Sequence, residues 1–348
     1  MFWLGLFAST ASIPGVTSIS IPAGWAALSL TLPWFAGRGS MTPLHAILGI
    51  FLAYVALSIS WTTVSWGGAW ALWQLAIFGL AFHLGSRLVS LRRLWQGLGI
   101  GGAISSAIGI AQWFSPNIIL QYNALQPAGF HYSPSVQGMV LVLVAVALAT
   151  ERLWLWIIPL LPGIWLTESR GAFVVLALGL GSVFVRSRAL LVIAALSLVF
   201  YVTLSLRSDE YERLVYLQAA LANLAWFGNG AGSFNDLWVV GAPNVMAHPI
   251  QVHNDYVQLI FEYGPGAIPF FLAMGAGLSL RSALQWPILA AFALFATFTF
   301  PLYIALAQFV FAVALGHVSA SWDLSWARLA SRGPHLLSWL RNPQPARG

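Results

Sequence analysis

The chain has no cysteine and no lysine, and only 7% of its 348 residues are charged. Without cysteine there is neither a disulfide framework nor a thiolate metal site. With so little charge, a chain that is 59% hydrophobic, with a mean hydropathy of +0.81, cannot cover a water-facing surface of its own. An ordinary soluble domain is therefore excluded.

Apolar sequence is what remains. Runs approaching the roughly 20 residues that a transmembrane helix needs recur along the chain, separated by short polar breaks. A closed β-barrel would instead show segments of about 10 residues that alternate apolar and polar positions. The expected fold class is all-α: a polytopic integral membrane helical bundle. The spans read as an N-terminal stretch ending near Phe35, then 44–61, 66–86, 94–113, 134–150, 152–167, 171–186, 188–205, 253–280, 284–300 and 302–320. That gives eleven, or twelve if the first stretch is divided at its prolines Pro14 and Pro22. Met1 to Ala11 carry no basic flank, so this first segment is read as retained. The transmembrane helical domain covers 1–320, including a loop at 206–252. Residues 321–348, with Trp322, Trp326 and Trp339 among arginines and prolines, read as an interfacial tail.

The fifteen basic residues, all arginine, set the orientation. Twelve fall on alternate connections and the C-terminal tail, which makes that side cytoplasmic. Only Arg170, Arg207 and Arg213 fall on the outer side. The long loop 206–252 lies there with four of the nine acidic residues. Its first part reads as an interfacial helix, with Ser208 or Asp209 as N-cap and an apolar stripe of Leu214, Leu217, Leu221 and Leu224; Arg213 sits at the edge of that stripe.

Four outward motifs carry candidate chemistry. In "HNDYVQ", Asn254 or Asp255 can cap a helix, leaving His253 just outside it; a plain capping triplet is the simpler alternative. Glu262 shares a face with Asp255, and an ionisable group at membrane depth is costly enough to suggest function, a tie to a neighbouring helix end being the alternative. In "TESRGAF", Ser169 and Arg170 stand at a helix junction, where a guanidinium can grip phosphate bidentately or pair with Glu168. "GNGAGSF" lacks the preceding strand and the Gly-Lys-Ser of a nucleotide loop, so its glycines read as a tight turn beneath a helix. His248 and His253, five apart across Pro249, do not have a zinc spacing, and no metal site is expected. In "GFHYSPSVQG", His131 is a candidate cavity residue, and Ser133 or Ser135 a candidate cap.

Taken in order, "SRGA", Arg213 on its loop helix, "GNGAGSF" and "HNDYVQLIFEYGPGA" resemble the O-antigen ligase and polymerase family of bacterial envelope glycan assembly, over Ser169 to Ala267. The resemblance implies a multi-pass inner-membrane enzyme with a periplasmic active face and a cytoplasmic C-terminus. It would move a glycan from an undecaprenyl-diphosphate-linked donor to a hydroxyl on a glycan or lipid-glycan acceptor, with the lipid bilayer as its medium, no cofactor, no metal and no nucleic-acid partner. It places the essential histidine on His253 and the diphosphate-binding arginines on Arg170 and Arg213, with Arg207, Asn254, Asp255, Glu262 and Ser169 as supporting residues. One departure is Pro134-Ser135, where relatives often show a Pro-Asn pair. The residues alone suit this chemistry, since transfer from a diphosphate needs cations for the leaving group and a base near neutral pH. A transporter is the alternative class; its mark would be paired inverted repeats, which the sequence lacks.

Overall fold

The computed structural model describes residue 3 and residues 42–62, 65–115, 127–131, 133–184, 211–236, 252–280, 283–304 and 306–320; the side chains of 65–70, 72–74, 211–214, 235 and 236 lie outside the description. Among the described residues every regular element is helical. In chain order these are α1 (Pro43–Ser58), α2 (Ser65–Arg87), α3 (Arg92–Phe114), α4 (Pro134–Thr150), α5 (Leu161–Leu166), α6 (Arg170–Phe184), α7 (Tyr211–Ala222), α8 (Asp255–Tyr263), α9 (Ile268–Ser279), α10 (Trp286–Ala296) and α11 (Leu306–Ala320). Two helical stretches, Arg92–Phe114 and Asp255–Ser279, are long and apolar enough to cross a membrane; the shorter apolar stretches, such as Leu75–Arg87 and Trp154–Leu166, have 10–17 residues. The expected N-terminal stretch apart from Trp3, the span 188–205, the caps Ser208 and Asp209, Arg207, His248 and the tail 321–348 all lie outside the described residues.

Two helices form the centre. In α4 every residue but Ser135 is buried, and α11 is nearly as enclosed, which is why both read as apolar on all sides. Around α4 stand α3, α5, α6 and α10; α1, α2, α9 and α10 gather about α11, where Phe292 stacks on Phe311 at 3.9 Å. Small residues set the closest approaches. Gly163 lies so near Ser106 of α3 that a Cβ there would come within 2.6 Å of its hydroxyl, and the Gly163 amide donates to that same oxygen at 2.8 Å. The expected span 152–167 is instead two 3₁₀ turns and the short α5, because Pro159 and Pro162 remove amides that a continuous helix would use.

Helix caps follow the sequence. Ser133 accepts the Val136 amide at the start of α4, so the capping role falls to Ser133 and not to Ser135. At α1 the Nδ1 of His45 accepts the Thr42 amide at 2.9 Å, taking the part that a Glu plays in a capping box.

The stretch Asp255–Ser279 is interrupted at Gly264–Ala267. In an unbroken helix the carbonyl of Phe261 would be bonded by residue 265, but Pro265 has no amide hydrogen. The glycine loop fills the gap: Asn229 N donates to Phe261 O at 2.9 Å and Gly230 N to Glu262 O at 2.8 Å. On its other side the loop meets the end of α1, where Thr62 donates to Ala231 O at 2.9 Å and Ser58 accepts the Ala231 amide at 3.2 Å. The reading of "GNGAGSF" as a tight turn beneath a helix is borne out. Gly230 holds φ +94°, and a Cβ there would lie 2.7 Å from the Thr62 backbone, so Gly230→Ala is expected to destabilise the fold by about 1–3 kcal/mol. Thermal unfolding of the purified variant checks this; an unchanged midpoint would show that the loop is not clamped.

Candidate functional site

Four of the expected site residues, His253, Asn254, Asp255 and Glu262, contact one stretch, Thr297 to Tyr303, between α10 and α11. Asn254 caps α8, its Oδ1 accepting the Val257 amide at 3.0 Å, and its Nδ2 donates to Thr297 O at 2.9 Å. Asp255, fully buried, accepts the Leu302 amide through Oδ2 at 2.8 Å. Between these anchors and the loop helix α7 lies His253. Its ring stacks over Tyr216 of α7 at 6.3 Å and meets the edge of Phe300 at 5.0 Å. The backbone of His253 is left-handed, with φ +59°, a conformation that non-glycine residues rarely hold.

The start of α6 reaches the same turn. A Cβ on Gly171 would come within 2.5 Å of the Phe298 ring, so the first turn of α6 rests on that ring. Ser169 is the cap there, accepting the Ala172 amide at 3.4 Å, and Arg170 is exposed at the first position of the helix. The start of α4 adjoins it: Gly138 sits against Thr167, Ser169 and Ala172, and the Thr299 hydroxyl lies 3.5 Å from the Met139 sulfur. Thus α4, α6 and α8 all begin at one end of the bundle. The positive ends of their helix dipoles face that end, to which Arg170 adds a full charge.

Arg213 stands one helical turn before Tyr216 on α7, the helix that covers His253; its side chain lies outside the description. The stripe expected for this helix is corrected in part: Leu217 packs against the buried face, the side chain of Leu214 lies outside the description, and Leu221 and Leu224 do not belong to that face. Val215, Tyr216 and Ala220 form the buried face, packing with Val252, Phe234 and Phe261. Leu221 is exposed, and Leu224 lies beyond the helix end and is exposed as well.

Glu262 is a tie between segments. It is fully buried, with Oε1 accepting from Gln258 at 3.0 Å and Oε2 from the Tyr303 hydroxyl at 3.0 Å; the Gly232 amide and the Tyr263 hydroxyl bond to it as well. It joins the glycine loop to the Pro301–Tyr303 turn through α8. Tyr216, Phe298, Phe300 and Tyr303 were not anticipated from the sequence; the only local signal was Phe300-Pro301, an aromatic beside a turn-forming proline.

Among the described residues, no group of three or more His, Asp or Glu side chains is placed to hold a metal ion. Comparison with protein-family models and with characterised proteins gives no match.

His131 belongs to the loop before α4, which is bound to α3: Gln112 accepts the Ala128 and Gly129 amides at 3.0 and 2.9 Å, and Ser105 accepts the Phe130 amide at 2.9 Å. Burial pushes the His131 imidazole down to about 4, so it stays neutral in the fold. An unfolded chain would take up the proton near pH ~6.5. The folded protein therefore loses stability as pH falls from about 6.5 towards 4, by on the order of 3 kcal/mol. Unfolding midpoints across that window, compared with those of His131→Gln, measure it; equal pH slopes in the two proteins would contradict the burial effect.

Proposed function

We propose that the chain is a multi-pass inner-membrane glycosyltransferase of the O-antigen ligase or polymerase type. Its donor is an undecaprenyl-diphosphate-linked glycan, and its acceptor a hydroxyl on a glycan or lipid-glycan. The observation that carries this reading is the meeting at the 297–303 stretch of a held imidazole, His253, with the starts of α6 and α8, Arg170 being the exposed first residue of α6. An anionic leaving group and a hydroxyl losing its proton need these two kinds of group side by side.

In the proposed step, His253 accepts the acceptor's hydroxyl proton while that oxygen attacks the anomeric carbon from the face opposite the diphosphate. The carbon–oxygen bond to the diphosphate breaks, its electron pair leaves with the carrier, and the configuration inverts. Arg170 and Arg213 hold the diphosphate and take up the charge that grows on it. Asn254 and Asp255 fix the start of α8 against Thr297 and Leu302, and the aromatic faces of Tyr216 and Phe300 limit water around the imidazole. The membrane-bundle reading rests on composition, on the two full-length apolar stretches and on the enclosed apolar centre. The shorter helices then cross by local thinning of the bilayer, or span it together with the segments that flank them.

An interrupted helix such as Asp255–Ser279 also occurs in transporters, where freed carbonyls coordinate ions. Here the Phe261 and Glu262 carbonyls already accept loop amides, which disfavours that use. Purified protein in vesicles, given an isotope-labelled lipid-linked glycan and an acceptor glycan, tests the reading. The expected result is product formation that persists with a chelator present. His253→Ala, Arg170→Ala and Arg213→Ala should each lower transfer by about 100-fold or more while the variants still insert. Full activity in any variant removes that residue from the mechanism, and passage of substrate without bond formation favours the transporter.

A further inference from the structure

The end of the loop helix carries a feature that the transfer chemistry does not use. After α7 the chain turns through Leu224 to Gly228, and Trp226 and Phe227 are 80% and 65% exposed. Such exposure of two neighbouring large aromatics is uncommon on a face that meets water. The turn itself is tightly held. Asn229 Nδ2 donates to Asn223 O at 2.9 Å, Gly228 N to Ala225 O at 3.0 Å, the Tyr54 hydroxyl to Phe227 O at 2.8 Å and Trp61 Nε1 to Gly228 O at 3.3 Å. Its backbone also lies directly against Gly264, where a Cβ would stand 2.8 Å from Trp226 O. The two rings are thus presented outwards by a backbone with little freedom to withdraw them.

The position of the turn indicates what it meets. Tyr54, which holds it, lies on α1, and α1 turns an apolar stripe of Ala46, Gly49, Ile50, Ala53, Ala56 and Leu57 outwards, with Ile50 62% and Leu57 60% exposed. On α9, beside the Gly266 that packs on Tyr54, Ile268 and Leu272 are exposed as well. Trp226 and Phe227 therefore continue an apolar wall made by two helices. The level along the bundle also fits. Gly264 is nine residues along from Asp255, so at 1.5 Å per residue the turn lies roughly 13 Å nearer the middle of the bundle than the His253 end. It is level with the last turns of α1, where an aromatic belt would sit at the boundary between headgroups and acyl chains.

We propose that Trp226 and Phe227 insert into the outer leaflet of the bilayer, and that this contact anchors the helix carrying Tyr216 over His253. The proposal rests on the membrane reading above and is independent of the glycan chemistry. Because the native chain has no cysteine, single-cysteine labelling needs no background substitutions. Nitroxides placed by Trp226→Cys and Phe227→Cys, in vesicles of phosphatidylcholine and phosphatidylglycerol, are compared with Leu57→Cys on the apolar wall and Gln218→Cys on the exposed side of α7. Accessibility to dissolved oxygen and to a water-soluble nickel chelate is read for each. The expected result is that positions 226 and 227 follow position 57, favouring oxygen, while position 218 favours nickel. If 226 and 227 follow 218 while 57 favours oxygen, the turn lies in water and the proposal is overturned. If both reagents are excluded at 226 and 227, a protein surface covers them and the proposal is again overturned. Nickel access at position 57 would overturn the membrane reading itself.

Discussion

A buried carboxylate needs its hydrogen bonds, and the end of the bundle where α8 begins is arranged around one that has them. Glu262 receives donors from its own helix, from the Tyr303 hydroxyl after α10 and from the Gly232 amide of the glycine loop. Removing any one of them would leave an uncompensated polar group in the interior, at a cost of about 1–3 kcal/mol or more for a charged group. The loop, the helix and the turn are therefore fixed relative to one another. Everything proposed for His253 depends on that fixation, since Phe300 belongs to the stretch leading into the turn and Tyr216 belongs to the helix that leads into the loop.

The same arrangement explains why the candidate imidazole can hold a strained backbone. A left-handed histidine persists only where its surroundings over-determine it. Here Val252 is buried on one side with its amide bonded to Gln258, and on the other Asn254 is bonded both forward along α8 and across to Thr297. With the chain held before and after it, His253 has its ring direction set by the fold. Such pre-organisation lowers the reorganisation needed when a proton is taken up.

Much of the helical pattern was legible in the sequence, because an apolar run bounded by a cap and a proline states its own limits. Ser133 and Pro134 open α4 where the pattern said they would, and Pro43 opens α1 within a residue of the expected start. What misled was periodicity without knowledge of the partner. On α7 the leucine stripe held at Leu217 and failed at Leu221 and Leu224, which are exposed, while Val215, Tyr216 and Ala220 form the buried face. The segment with Pro159 and Pro162 was apolar enough for a span, yet its missing amides broke it into turns. Long-range ties stayed invisible: nothing near Glu262 in the sequence names Tyr303 as its partner, and nothing near His253 names Phe300. The candidate site was readable as an inventory of residues; the aromatic walls that hold His253 were not.

The missing amide of Pro265 also bears on how the chain is made. If the stretch from Asp255 crosses a bilayer, its gap at the Phe261 carbonyl is closed by residues of the preceding loop, synthesised earlier. The loop must then already be at hand when its partner helix emerges from the ribosome, or that helix enters lipid with an unanswered carbonyl. Order of synthesis and order of hydrogen bonding coincide, so insertion of the later segment completes a surface that the earlier one has left waiting.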